Sequence, residues 1–438
     1  MRDEAAARVH LSALFRAAFG RSADEGAERT VLASAPGRLE VAGNHVDHQG
    51  GRVISAAIGE RTWGLAAPND GGRIRVVMEG FGADEIDLAE EGWDAPRPAD
   101  ALSSGALVRG MAARFARDGG ALAGFDMVTC SDVPPGCGLS SSAAFEVMVG
   151  ACLAGLFGGG AWSGAGAAGS VPAGAAGSVP AGADGEGAVA VDPVALALAA
   201  TTVEQRYFGK PCGAQDQLAS ACGGVVAIDF GPAVPAVEAV RLDAAAWGFG
   251  IVLIDSRQDH SQHNDEFAAI PADMGRVARL LGVDRLGDGS VDELLDRLGA
   301  VRATLGDQCA LRALHYYDEV ARVNAQRVAL ERDDFAAFLG LVRASGVSSA
   351  QFLQNVSLRG PGTEGCQPAM LIQGLCAHWL GDRGAWRIHG GGFGGAVLAF
   401  VPLGEVDDFV AAMDAALGYE ACRTVVVGGA GAWARRLS

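Results

Sequence analysis

The sequence predicts an α+β protein. Aliphatic stretches of strand character stand beside longer stretches of helical spacing, and no strict strand–helix–strand rhythm links them. Ile74–Met78, Gly250–Asp255 and Ala396–Val401 are rich in β-branched and aliphatic residues and read as strands. Ala143–Phe157, Pro193–Tyr207, His315–Arg332 and Asp334–Ala344 return apolar residues at helical spacing, and Asp334 stands where an N-cap belongs. At the N-terminus Val9, Leu11, Leu14, Phe15 and Phe19 fall near one face of an amphipathic helix, without the unbroken apolar core of a signal peptide.

A chain of 438 residues is too long for one small core. Its 34 basic against 52 acidic side chains give a formal charge of −18, with no basic block anywhere, and Lys210 is the only lysine. A duplex-binding surface needs clustered cations to displace counterions, so neither nucleic acid nor an anionic membrane is an expected partner. No apolar run is long enough to suggest a membrane span. Nine dispersed cysteines without a Cys-x-x-Cys pair read as free thiols in a reducing compartment, and the expected location is cytoplasmic. Oligomeric state has no signature in the sequence.

Residues 158–192 stand apart. They are mostly Gly, Ala, Ser, Val and Pro, and one eight-residue unit repeats in tandem at 168–175 and 176–183. Such a segment builds no periodic apolar face, and reads as a flexible low-complexity insertion between two helices.

Four segments carry chemistry. In Val133–Glu146, Gly136 and Gly138 precede Leu139 and the run Ser140, Ser141, Ser142, which opens directly into an apolar helix. Unpaired N–H groups, hydroxyls and a helix dipole then meet at one point, which suits an anion. A serine-capped helix is the plainer reading, but it needs one serine and not three with two glycines. No Gly-Lys-Ser/Thr is present, so this is not a Walker loop. Ser34–Gly51 gathers Arg38, Asn44, His45, Asp47 and His48, more polar groups than a buried strand can satisfy within itself. A metal site at His45, Asp47 and His48 is the sharper rival there, although a short turn rarely converges three ligands. Gly209–Leu218 contains Asp216 after a Pro- and Gly-bearing loop. Its carboxylate needs a partner if buried, and Arg38 is the candidate. Arg387–Ala396 places five glycines in six positions, a backbone able to approach something closely.

Taken in chain order, these segments resemble the galactokinase branch of the GHMP small-molecule kinases over roughly residues 30–435. Ser34–Gly51 is similar to that branch's sugar-site signature, Val133–Glu146 to the family phosphate loop and Arg387–Ala396 to its glycine-rich third motif. The resemblance implies a two-lobed fold with the active site in the inter-lobe cleft, here an N-terminal lobe over 1–230 and a C-terminal lobe over 231–438. It implies an ATP- and Mg2+-dependent sugar 1-kinase acting on a small-molecule sugar, galactose first. A uronic acid, arabinose or N-acetylhexosamine kinase, and a non-catalytic sugar sensor, are the alternatives. Gly136, Cys137, Gly138, Leu139, Ser140, Ser141 and Ser142 match the nucleotide phosphate loop. Ser142 and Glu204, twelve residues before Asp216, match the Mg2+ ligands. Asp216 matches the catalytic aspartate and Arg38 its partner, while Asn44, His45, Asp47 and Phe267 fall at the sugar-contact positions.

The departures lie on the sugar side. The branch usually has Glu at the position of Asn44, Tyr at that of His48, and Tyr at that of Phe267. Ser103–Gly110 lacks the aromatics that commonly flank adenine. Loss of a carboxylate at Asn44 predicts a pocket that is neutral to positive and tolerant of an acidic C6 group.

Overall fold

The computed structural model describes residues 1–23, 29–162, 189–210, 212–258, 264–358, 363 and 365–437. Helix α1 (Glu4–Phe19), capped by the Asp3 carboxylate on the Ala6 N–H, buries Leu11 and Phe15 of the expected apolar set together with Ala7, leaves Leu14 and Phe19 half-buried, and turns Val9 out to solvent. The next strands are β1 (Val31–Ala42), β2 (Arg52–Pro68), β3 (Arg73–Met78) and β4 (Gly82–Asp87). Helix α2 (Ser104–Arg117), β5 (Phe125–Ser131) and α3 (Ser141–Phe157) follow. Next come α4 (Pro193–Val203), a π-helical turn at Glu204–Phe208, α5 (Gln215–Cys222), β6 (Val225–Asp229) and β7 (Ala236–Ala239). The remainder begins with β8 (Phe249–Asp255), α6 (Asn264–Leu281), α7 (Val291–Asp296) and α8 (Leu298–Leu305). It continues through α9 (Asp307–Glu331), α10 (Phe335–Ser348) and α11 (Pro368–Leu380). It closes with β9 (Ala385–His389), β10 (Ala396–Pro402), α12 (Val406–Leu417), β11 (Cys422–Val425) and β12 (Trp433–Arg436).

Two sheets organise these elements. The larger runs β12-β1-β2-β5-β3-β4, with β6 and β7 continuing from the other half of the long β2. The smaller runs β11-β8-β10-β9, antiparallel throughout. Strand β10 shows why its sequence is almost wholly apolar. Ala396, Leu398 and Phe400 face a cluster with Phe338, Leu339 and Val342 of α10, while Val397, Ala399 and Val401 face Ile372, Cys376 and Met413 of α11 and α12. A sheet covered on both faces needs apolar residues at both parities. The mixed α+β reading therefore holds.

The larger sheet does not stop at residue 230. Strand β7 pairs with β6, and β12 returns to pair with β1, so a cut between 230 and 231 divides a hairpin. Helices α6 and α9 also contribute Ile270, Met274, Ala313 and Tyr316 to the same hydrophobic cluster as α2, α3 and α4. Of the 158–192 insertion, residues 163–188 lie outside the described residues. Its ends are built into the core: Trp162 is buried against Phe115, its Nε1 donates to Asp118 at 2.9 Å, and Asp192 caps α4. All nine cysteines are free. Among the described residues no helix is long and apolar enough to cross a membrane.

Candidate active site

Strand β1 is buried along its whole length although it carries Arg38 and Glu40. Its polar groups are satisfied from outside the strand, which the sequence could not show. The register against β2 shifts between Pro36 and Arg38, and there the Arg38 N–H donates to the Leu139 carbonyl at 3.1 Å. A Cβ on Gly37 would lie 2.8 Å from that same carbonyl, so the strand and the loop before α3 are sewn together where only glycine fits.

The loop before α3 turns on Gly136 and Gly138, both in the left-handed region, and Ser140 is also held there with φ 55°. Ser140 occupies the N-cap of α3 without capping it. Its hydroxyl donates instead to Asp216 Oδ2, which leaves the first-turn amides of α3 without a side-chain cap. Arg38 Nε donates to Asp216 Oδ1 at 2.6 Å and Nη2 to Oδ2 at 2.9 Å, while Nη1 reaches the Gly138 carbonyl at 2.5 Å. The fork joins the aspartate on α5 to the loop. The Arg38 side chain is 8% exposed and that of Asp216 22%, so the carboxylate is the more accessible partner. Burial alone would push the Asp216 carboxyl up, but Arg38, Lys210 and the Ser140 hydroxyl together hold it below its ordinary value. Burial opposes the Arg38 charge as well, and Asp216 more than compensates.

Beside this pair, Ser142 Oγ donates to Glu204 Oε1 at 2.8 Å. Gln217 Nε2 bridges Glu204 Oε2 at 2.5 Å and Glu146 Oε1 at 2.7 Å, and Glu146 Oε2 is buried with no partner among the described residues. Glu204 begins the π-helical turn, and the Gly209 and Lys210 N–H groups both return to its carbonyl. That widened turn folds Lys210 back so that Nζ lies 3.3 Å from Glu204 Oε1. A hydroxyl, a paired carboxylate and a second carboxylate oxygen without a partner are hard oxygen donors of the kind Mg2+ takes. The residues therefore fit that ion. Lys210, Glu146 and Gln217 were missed as site residues; the solitary lysine was the one available signal.

The sugar-signature residues divide. Asn44 is fully buried, and its amide is spent inside the protein. Nδ2 donates to Glu40 Oε1 at 3.1 Å and to the Gly390 carbonyl at 2.6 Å, while Oδ1 accepts from Asn355 Nδ2 at 2.7 Å and from Ser349 Oγ at 3.3 Å. Asn44 faces inward and offers a ligand no free donor. Any effect of Asn44 on tolerance at C6 would therefore come from the absence of a carboxylate and not from a hydrogen bond of its amide. His45, at φ 57°, donates from Nε2 to the Gly391 carbonyl at 2.9 Å, and its ring lies 5.1 Å from that of Phe267 and 5.9 Å from that of His48. Burial lowers His45 to about 3 and His48 to about 4. Both rings are thus neutral at physiological pH, the neutral end of the neutral-to-positive range expected. The Asp47 carboxylate lies over Gly213, where a Cβ would come within 1.8 Å of Oδ2. Burial pushes its carboxyl up, with His45 opposing. Phe267 packs on Gly391, where a Cβ would meet its ring at 2.3 Å. His45, Asp47 and His48 do not form a compact ligand set. Among the described residues the one set of three His, Cys, Asp or Glu side chains with ligand atoms that close together is His10, Glu79 and Cys130, with Arg2 3.6 Å from Glu79.

Residues 13–68 match the galactokinase galactose-binding signature, and residues 106–168 match the GHMP kinases N-terminal domain. Lactococcus lactis galactokinase, solved with galactose, superposes with a TM-score of 0.75 at 23% identity, covering 97% of this chain and 99% of that one. Streptococcus pneumoniae phosphomevalonate kinase, solved with phosphomevalonate and AMPPNP, gives 0.59 at 13% identity over 90% and 99%. A D-glycero-D-manno-heptose 1-phosphate kinase from Bacteriodes thetaiotaomicron gives 0.53 at 16% identity over 93% and 99%. The fold is that of these kinases.

Proposed function

We propose that this galactokinase-like member of the GHMP kinase family is an ATP-dependent sugar 1-kinase, with galactose as its first candidate substrate. The observation that carries the reading is the convergence on Asp216: a two-point ion pair from Arg38, a hydroxyl from Ser140, and the loop carbonyl of Gly138 tied to the same guanidinium. Phosphoryl transfer asks the protein mainly for positioning and for charge stabilisation. Asp216, kept ionised, accepts the hydrogen of the anomeric hydroxyl and aims that oxygen at the γ-phosphorus. The sugar O–P bond forms as the bond to the ADP leaving oxygen breaks, and the hydroxyl proton passes to the carboxylate. Arg38 places a fixed positive charge beside the transferring group, and the uncapped first turn of α3 adds amide donors.

Ser142 and Glu204 would hold Mg2+, which supplies charge neutralisation to the β- and γ-phosphates. Lys210 stands on the same carboxylate and adds a cation on that side. His45, Asp47 and Phe267 line the region beyond, and galactose is favoured because the matched signature is the galactose-binding one. Release of ADP by the purified protein, measured over galactose, galacturonate, arabinose, N-acetylgalactosamine and 6-deoxygalactose, tests the reading. Sugar-dependent release lost in Asp216→Asn is the expected result, and no release with any sugar would overturn it.

A further inference from the structure

His389, at the end of β9, is 2% exposed and belongs to none of the groups above. Its Nε2 lies 2.9 Å from the backbone nitrogen of Glu40. An amide N–H can only donate, so Nε2 must present its lone pair, and a neutral ring must then carry its proton on Nδ1. Burial, with Arg38 and Arg387 adding their charges, holds the ring's pKa well below its ordinary value. The ring is therefore neutral and its tautomer is fixed by the β1 backbone. The Nδ1–H is a buried donor with no partner among the described residues, a state costing about 1–3 kcal/mol unless something accepts from it.

That donor lies against the phosphate loop. Nδ1 lies 3.2 Å from the point a Cβ on Gly138 would occupy, and Gly138 carries the carbonyl that binds Arg38. The Arg38 guanidinium lies 4.0 Å from the Cβ position of the next residue, Gly390. Nη2, the guanidinium nitrogen nearest Gly390, is the one that donates to Asp216 Oδ2, so a neutral donor and the Arg38–Asp216 pair both abut the Gly138 and Gly390 backbones.

We propose that His389 is a catalytic residue whose Nδ1–H donates to a non-bridging oxygen of the transferring phosphoryl group, beside Arg38. The inference rests on the kinase reading above. The ring neither takes nor releases a proton; it supplies a pre-aimed dipole where charge gathers. It adds no ionisation to the pH profile, and the full donor is present across the neutral range.

His389→Gln tests this, because the glutamine oxygen can keep the bond from the Glu40 amide while the Nδ1 donor disappears. The expected result is a kcat reduced about 10²-fold, with KM for sugar and affinity for ADP within about twofold of wild type and an unchanged melting temperature. Binding of ADP with aluminium fluoride and sugar should weaken by the same factor as kcat. A purely structural role would lower the melting temperature without that match. If the variant does not fold, protein that keeps His389 decides. His45 and His315 donate from Nε2 to carbonyls, and with the other unpartnered ring removed as His48→Gln, a buried ring protonated at Nδ1 in a 15N-histidine spectrum marks His389. Its signal should move with ADP, aluminium fluoride and sugar together but not with ADP alone. Absence of an Nδ1-protonated ring, no movement on adding the mimic, or a His389→Gln enzyme with wild-type kcat would each overturn the proposal. Wild-type protein that releases no ADP with any sugar would sink the kinase reading along with it.

Discussion

The two halves of the site are built on opposite electrostatic plans. At the transfer end, Arg38 forms an ion pair with Asp216 and Lys210 with Glu204; Arg38 and Glu204 are buried, Asp216 and Lys210 partly exposed. At the sugar-signature end, His45 and His48 are held neutral, Asn44 is sealed inside, and Phe267 closes the wall against Gly391. The first plan suits a reaction that moves a multiply charged group. The second suits a neutral polyhydroxylated ligand, held by shape and single hydrogen bonds. Substitutions at the two ends should therefore fail differently, the first in turnover and the second in binding or folding.

Asp216→Asn should show the largest effect. Removing the acceptor for the sugar hydroxyl costs about 10²–10⁴ in rate. The pair is more than catalytic, because neutralising Asp216 leaves the buried Arg38 guanidinium uncompensated, which typically costs about 3–5 kcal/mol. The open edge of the carboxylate brings the cost below that range. Turnover and urea denaturation measured together should both fall, and an enzyme keeping more than half its kcat would break the contrast between the ends. The pair also sets acid stability. Because the Asp216 carboxyl is depressed on folding, its contribution is complete above the unfolded value of about 3.9. It is lost as pH falls through the lower folded value.

Asn44→Asp separates a folding role from a binding one. The new carboxylate would replace the NH2 that faces Glu40 Oε1 and the Gly390 carbonyl, setting an anion against two acceptors in a sealed site. An uncompensated buried charge of this kind costs about 3–5 kcal/mol, read as a lower denaturation midpoint. Relative KM values for galactose and galacturonate should not change in the folded fraction. A changed ratio at unchanged stability would return Asn44 to the sugar.

Lys210→Met should act more gently and only through charge. Arg38 remains as the main partner of Asp216, but one of the cations that depress its carboxyl is gone. The acid limb of kcat/KM should move to higher pH, with the neutral plateau nearly intact. No movement of that limb would mean that Lys210 and Asp216 are not coupled through the site.

What was legible in the sequence follows the same divide. Arg38, Asp216, Ser142 and Glu204 were readable because charge and hydroxyl groups at those spacings have few structural uses, and the structure brings all four together. The direction of Asn44 was not legible, because a polar side chain in a glycine-rich signature looks identical whether it points at a ligand or at Glu40. Its direction depends on Asn355 and Ser349, more than 300 residues away. His389 was invisible for a related reason, since its tautomer is set by a backbone amide on another strand. Strands β8 and β10 and helix α3 were found to within two residues, and α10 at its start but four residues short at its end, because burial on one or both faces writes a periodic pattern. The lobe boundary was not, because strand pairing such as β12 with β1 leaves no local mark.

The smallest effect should come from the low-complexity segment, and it tests how the transfer end is held. This segment connects α3, which carries Ser142, to α4, which leads into Glu204, so the spacing of those two oxygens could depend on the connection or on the packing of the helices. The packing is close: a Cβ on Gly150 of α3 would lie 2.4 Å from Leu196 of α4. The ends of the connection are already joined, since the Asp192 N–H donates to the Trp162 carbonyl at 2.9 Å. A short Gly-Ser linker in place of residues 163–188 keeps both anchors, and loop length enters closure entropy only at about 0.6 kcal/mol per doubling. Melting temperature and kcat should stay within error of wild type. Removing the full 158–192 segment should behave differently, because it takes away the buried Trp162 and the Asp192 cap. Losing a buried tryptophan alone typically costs about 3–5 kcal/mol. If the shorter replacement lost activity while the fold survived, the helices would not be fixing Ser142 against Glu204, and the transfer end would be less preorganised than its ion pairs imply.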